Sequence, residues 1–465
     1  MGSRKRKKRK APVTAAAGAE SDRRLDEAAR ARRALRMIVV LYVFLAFLYA
    51  RSIPLGKGPD ESAHVRYVQF LAENHHLPVL NPENPDPDYE FHQPPLYYAL
   101  CLPAYVLAGE NTDRAQQAVR FFTMLMSIAL IYLTFSLARM LAPDRPWIAP
   151  GAAGMVAFLP MHLGVASSVS NDVLAEIFCA ATLLVLVQYL RQAALHRAGK
   201  AERPPGPGMM GVVGLLIGLG LLTKSVAVLL FPVAWLSAAL AVRGANRWAW
   251  RRLARDIALT LGVALAVSGW WLVRNQVLYG DLLAHQAFLD AFQGLRPSPR
   301  DVMADYQGRF PPDLHVGIYL QVVVTWTLAS ILGVFGPTHG NHFLFYPYWI
   351  YLLYGLAGAT GMLGFARHVS RTELVDWQRH AWWVCGLFGA LLLASFVRFN
   401  FSFFQAQARY LFPILPAAAV ACCLGLQQIS PPRWRDHVLL AAVIALAVLA
   451  LAGLPLWIVP QFLGA

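Results

Sequence analysis

The sequence predicts an all-α polytopic membrane protein of about eleven transmembrane helices, each needing about 20 apolar residues to cross the bilayer core. Three observations point there. The chain of 465 residues is 57% hydrophobic with a mean hydropathy of +0.45, and only 14% of it is charged. Its apolar runs are rich in Leu, Ala, Val and Gly and lack the two-residue alternation of a transmembrane barrel, so each must satisfy its own backbone as a helix. Basic residues recur between alternate runs, the pattern of cytoplasmic loops.

Much of the formal charge of +15 sits in a basic N-terminal tail, 1–34, led by the run at residues 4–10. Beside a membrane helix such a tail is expected to be cytoplasmic and to meet anionic lipid rather than nucleic acid. The first helix is expected at about 35–55, with Arg36 and Arg51 placed to snorkel towards the two surfaces. Residues 56–117 then make a long first outer loop. Within it, 62–77 has apolar residues at helical spacing and is expected to lie along the interface. Prolines at 82, 85 and 87 end that helix, and 96–107, opened by Pro94 and Pro95, reads as a second interfacial or re-entrant helix.

Crossings follow at 119–141, 147–165 and 173–190, the last leading into a basic stretch at 191–203. The apolar run 209–242 has basic residues at both ends, so it must cross an even number of times. It is expected to be a pair of short helices with Lys224 at their outer tip. The next helix, 257–273, rises to Trp270 and Trp271, an aromatic pair suited to an interface. In the following segment, 276–345, the apolar part 316–335 is expected to lie in or dip into the outer leaflet. A full crossing there would put Arg367, Arg371 and Arg379 outside and raise the count to twelve. The last helices are expected at 346–365, 381–396, 411–426 and 438–459. The chain thus divides into the tail, an N-terminal helical module 35–275, the segment 276–345 and C-terminal helices 346–465. The five cysteines are odd in number, lack metal-ligand spacing and sit in apolar runs, so they read as core residues.

This topology gathers ionisable residues on one side. Asp60, Glu61, His92, Asn171, Asp172, Lys224, Arg398 and Arg409 all fall on the outer face, and such groups at membrane depth are costly. Acids and cations in one cleft suit an anionic headgroup together with a hydroxyl. Each has a plainer reading too. Asp60 and Glu61 can cap a helix, as can Asn171 and Asp172; His92 can serve a turn, and Lys224 and Arg409 can snorkel. Two Glu-x-x-His pairs, Glu61 with His64 and Glu73 with His76, lie twelve residues apart, about 120° around a helix, and cannot face one dinuclear metal centre. No glycine-rich nucleotide loop occurs between a strand and a helix.

Five stretches in order, PDESAHVRYVQFLAENHHLP, FHQPPLYYAL, SNDVLAEIF, LTKSVAVLLFP and QARYLFPILPA, resemble the GT-C superfamily of integral-membrane glycosyltransferases. The likeness is to the branch with protein O-mannosyltransferases and aminoarabinose transferases. It implies a GT-C-type bundle, a catalytic N-terminal module and a donor sugar on polyprenyl phosphate. Transfer would go to a glycan, lipid or protein hydroxyl on the extracytoplasmic face, with inversion. The expected setting is a bacterial inner membrane. The resemblance implies Asp60 as general base, with Glu61 as alternate base or orienting partner. Arg409 of the RYL motif, Tyr410 and Lys224 would hold the donor phosphate. His64, His92, Gln93, Asn171 and Asp172 are candidates for substrate binding. A single Mg or Mn ion at Asp60, bridging the phosphate, stays open. The alternative is a transporter or flippase for a lipid-linked or anionic solute, although no internal repeat is visible.

Overall fold

The computed structural model describes residues 13–242, 249–293, 296–304, 315–336 and 343–463, with side chains from residue 25 onward apart from 315. The basic run at 4–10 lies outside them. Helix α1, Val13–Ser52, starts well inside the stretch read as a tail. Its buried edge, Leu35, Ile38, Tyr42, Leu45, Ala46 and Tyr49, repeats every three or four residues, while Met37, Val40, Phe44 and Phe47 face outward. That division is what a helix at the lipid-facing rim of a bundle requires.

The interfacial helices follow as α2, Glu61–Asn74, and α3, Leu96–Leu107. Tyr67 and Tyr98 stack face to face at 3.7 Å and join them. Helix α4, Thr112–Leu141, begins at a side-chain cap, where Asn111 accepts from the Arg114 amide at 2.9 Å. The crossing expected at 147–165 is broken instead. Helices α5, Ile148–Phe158, and α6, Pro160–Ala166, meet at 64°. Pro160 has no N–H to continue the ladder and its ring crowds the preceding turn, so Leu159 turns extended.

Helix α7 is Asp172–Arg197. The expected short pair is α8, Gly208–Leu221, and α9, Leu230–Val242, with Lys224 and a 3-10 turn, Ser225–Leu229, between them. Next come α10, Trp250–Tyr279, α11, His285–Phe292, α12, Pro299–Ala304, and α13, His315–Leu332. Two-residue strands, β1 (Val334–Phe335) and β2 (Leu344–Phe345), pair antiparallel. Helix α14 is Tyr348–Arg371 and α15 is Asp376–Ser402. Arg398 therefore lies in a helix, not in the outer segment expected to begin there. A 3-10 turn, Ala408–Ile414, leads into α16, Leu415–Ile429, followed by α17, Arg435–Gly453, and α18, Val459–Leu463.

Among the described residues nine helical segments are long and apolar enough to cross a membrane, ten with the bent α5–α6 pair. With α8 they occupy the eleven positions expected from sequence. One apolar core runs from α1 through α18, and a second joins α2, α3 and α11 over the end of the bundle.

Candidate active site

Several helix ends converge at that end: the C-terminus of α1 and the loop after it, the N-terminus of α7, the α8–α9 turn, the end of α15 and the turn before α16. They enclose a cavity of about 450 Å³. Part of its wall is polar, with Asp60, His64, Glu90, His92, Gln93, Asp172, Glu176, Lys224, Arg398, Arg409 and Tyr410. The rest is apolar, including Leu221, Leu229, Trp271, Phe288, Phe292, Phe396 and Phe399.

Asp60 precedes α2 but does not cap it. Its backbone is left-handed, φ 53° and ψ 16°, and its side chain makes no bond to the first turn. Such backbone is uncommon outside glycine and persists where the surroundings enforce it. Here Glu61 is the anchor. Its carboxylate accepts from the amides of Gly56 at 3.0 Å, Gly58 at 3.1 Å and Val169 at 3.0 Å, and from Arg120 twice at 2.6 Å. Gly58 also lies so close to the 167–171 loop that a Cβ there would stand 2.5 Å from Ser168 Cβ. With the loop pinned, the Asp60 carboxylate turns into the cavity.

There Asp60 Oδ1 accepts from Arg296 Nη2 at 2.6 Å and from the Tyr89 hydroxyl at 3.3 Å, while Oδ2 accepts from Arg409 Nη2. Arg409 is 3% exposed and also donates through Nη1 to Asp172 Oδ2 at 3.0 Å. Lys224 holds the other Asp172 oxygen. Gln407 accepts from Arg409 Nε at 2.7 Å, and the guanidinium lies 4.7 Å from the Tyr410 ring centre. Within this ion-paired network three cations share two carboxylates, one positive charge more than they neutralise. Burial by itself would raise the Asp60 carboxyl, but Arg409, Arg296 and His64 outweigh it and hold it well below the usual carboxylate range.

His64 shares a 2.8 Å bond between Nδ1 and the Tyr98 hydroxyl, and burial holds its imidazole below the usual value despite Glu90 and Asp60 nearby. Burial likewise pushes His92 down to about 4, where it is neutral near pH 7. Its Nδ1 donates to the Tyr89 carbonyl at 2.8 Å, which leaves Nε2 as an acceptor.

Of the residues expected from sequence, Asp60, His64, His92, Gln93, Asp172, Lys224, Arg409 and Tyr410 line the cavity. Two do not. Glu61 faces away and is fully engaged with Arg120 and three amides, so no lone acid remains there to accept a substrate proton. Asn171 sits behind the wall, where its Nδ2 donates to Gln93 Oε1 at 3.2 Å and to the Thr223 carbonyl at 3.1 Å. Sequence reasoning missed Arg296, Glu90, Tyr89, Glu176 and Arg120. Glu90 lies two residues before His92, and that proximity was its available signal. It is 5% exposed, its Oε2 has no hydrogen-bond partner among the described residues, and burial raises its carboxyl with His64 opposing. Arg296 arrives from a polar loop without any local motif.

Among the described residues no three His, Cys, Asp or Glu side chains converge as metal ligands. Both Asp60 oxygens already hold guanidinium groups. That donor set fits an anion beside Asp60 rather than a further cation on it.

A family model described as dolichyl-phosphate-mannose-protein mannosyltransferase matches residues 108–280. No curated protein sequence matches the chain. Among solved structures, ArnT from Cupriavidus metallidurans, bound to undecaprenyl phosphate, is similar at 17% identity over 89% of this chain and 64% of that one, with a TM-score of 0.51. Its apo form gives 18% identity, 89% and 63% coverage and a TM-score of 0.50. The Archaeoglobus fulgidus oligosaccharyltransferase tethered to an acceptor peptide is 13% identical over 92% of this chain and 54% of that one, with a TM-score of 0.53. The chain spans less than two thirds of the length of each of these structures. In its polytopic helical fold the chain is thus similar to ArnT and to the archaeal oligosaccharyltransferase, and residues 108–280 within it match the mannosyltransferase family model.

Proposed function

We propose that the chain transfers a sugar from a polyprenyl-phosphate donor to an acceptor hydroxyl. The observation that carries this reading is the Asp60 carboxylate held between Arg409 and Arg296 at the polar head of a cavity whose remaining wall is apolar. A lipid phosphate has that same division. The donor phosphate would sit beside Arg409, Arg296, Lys224 and the Tyr410 hydroxyl, drawing on the surplus positive charge, with the start of its chain against the Trp271 and Phe288 side. ArnT, of similar fold, is bound to undecaprenyl phosphate, which supports the donor class.

In the proposed reaction the acceptor oxygen attacks the anomeric carbon as its proton passes to Asp60. The bond between that carbon and the phosphate oxygen breaks, and the electron pair leaves with the phosphate. Polyprenyl phosphate is a stable anion, so the guanidinium groups stabilise the developing charge and no acid has to protonate it. A single displacement inverts the anomeric centre. As cations move towards the phosphate, Asp60 loses part of what depresses its pKa and becomes the better base at the moment it is needed. His64, His92, Gln93 and Asp172 are left to bind the sugar and acceptor, with Asn171 positioning Gln93. We assign Glu61 to holding the Asp60 loop. No step is routed through a metal. The proposed setting is the extracytoplasmic face of a bacterial inner membrane.

The test is sugar transfer by purified protein in nanodiscs from a panel of radiolabelled polyprenyl-phosphate sugars, with and without a chelator. Wild type is expected to release polyprenyl phosphate at a chelator-independent rate, and Asp60→Asn to lose about 10²- to 10⁴-fold, the usual weight of a positioned general base. Transport without release of polyprenyl phosphate would favour the flippase reading. Equal turnover by the variant would remove Asp60 as base.

A further inference from the structure

A second cavity, of about 510 Å³, shares no lining residue with the first. It lies between Arg51 at the end of α1, the loop at 53–55 and the first turns of α4, where Asp113, Arg114, Gln117 and Phe121 face it. Two guanidinium groups and one carboxylate therefore line it. Among the described residues neither Arg51 nor Arg114 makes an ion pair or a side-chain hydrogen bond.

Beside the cavity the same two helices carry apolar side chains. Phe121 stacks on Phe47 at 5.5 Å and 9°, and Phe44, Phe47 and Leu125 stay exposed. A cationic cavity beside exposed apolar side chains, at the end of a membrane-spanning bundle, matches an amphiphile with a negative headgroup. Guanidinium groups also suit phosphate geometry better than any other cationic side chain.

We propose that this second cavity binds the phosphate of an anionic phospholipid, with Arg51 and Arg114 donating to its oxygens and an acyl chain lying along Phe47 and Phe121. The site is coupled to Asp60 through one side chain. Arg120 donates to the Ile53 carbonyl at 2.7 Å and the Pro54 carbonyl at 2.9 Å, and the same guanidinium clamps Glu61. Lipid seated against 53–55 therefore stiffens the loop that presents Asp60. The binding claim itself does not depend on the transfer reaction.

The test is binding of short-chain phosphatidylglycerol, phosphatidylcholine and inorganic phosphate to the full-length protein, by native mass spectrometry and thermal unfolding in detergent. Wild type is expected to prefer phosphatidylglycerol by about tenfold, the scale of two arginines near anionic lipid with Asp113 offsetting part of their charge. R51Q/R114Q is expected to lose the preference, whereas R51K/R114K, which keeps the charge, and R139Q, at the other end of α4, keep it. Restoration by the lysine pair shows that the glutamine pair lost charge rather than its fold. The proposal is overturned if R51Q/R114Q keeps the preference, if wild type shows none, or if inorganic phosphate protects as well as the lipid does.

Discussion

Because Glu61 is sealed behind the loop that presents Asp60, the two adjacent acids should respond to substitution in different ways. Asp60→Asn removes the proposed base, whereas Glu61→Gln removes the charge that Arg120 was buried to meet. Breaking a buried pair by deleting one partner costs about 3–5 kcal/mol, since the other charge is left uncompensated. Glu61→Gln is therefore expected to lower thermal stability sharply, with any remaining folded protein losing turnover only as the Asp60 loop loosens. Thermal unfolding beside turnover per folded molecule separates these effects, and a stable but inactive Glu61→Gln would contradict the assignment. His92 gives a pH signature at the same scale. Its folded pKa of about 4 lies below the unfolded value of about 6.5. Between those values the unfolded chain binds a proton that the folded chain does not, so the contribution is intact above about pH 6.5 and is lost as pH falls towards 4. His92→Asn, which keeps a donor for the Tyr89 carbonyl, should flatten the melting temperature across that window. An unchanged slope would mean that His92 titrates normally.

Helices in lipid associate through close backbone packing at small residues, and α14 against α16 is a clear case. A Cβ on Gly425 would stand 1.7 Å from the Gly361 carbonyl oxygen, and one on Gly364 would stand 2.3 Å from the Gly425 oxygen. Those neighbours are backbone, so no rotamer can relieve the collision. Gly425→Ala is expected to separate α14 from α16 and lower the melting temperature in detergent by several degrees, at about 1–3 kcal/mol for overpacking. Gly355→Ala on α14, where the added carbon meets open space, serves as the control and should change little. Equal melting temperatures for both would show that α14 and α16 do not meet backbone to backbone at Gly425. Elements of this kind were legible where hydropathy and arginine placement speak together, as for α4, α7 and the α8–α9 pair around Lys224. The break between α5 and α6 was legible only in Pro160, which hydropathy averages away. The start of α1 was missed because alanine-rich, charged sequence continues a helix as readily as it makes a tail.

At the scale of the whole molecule, the cavity is assembled from stretches hundreds of residues apart, and this decided what the sequence could disclose. Asp60, Asp172, Lys224 and Arg409 were legible because each ends a helix on the same expected side. Arg296 was not, since a polar loop hides one arginine among other polar residues, and neither the burial of Glu61 nor the lone oxygen of Glu90 has any one-dimensional trace. Arg409 is where the assembly can be tested. It joins the loop before α2 to the start of α7 by donating to both Asp60 and Asp172 from the turn before α16. Lysine keeps the charge but has no planar fork to hold two carboxylates and a phosphate at once. Arg409→Lys is expected to cut transfer by about a hundredfold or more, the scale of one lost transition-state donor, while keeping most of the donor affinity. Steady-state rates at saturating donor, beside donor binding to the same protein, distinguish that outcome from a simple loss of binding. A lysine variant with wild-type turnover would move the role of stabilising the leaving phosphate to Lys224 and Arg296, and would leave Arg409 as the tie that holds the two acidic loops together.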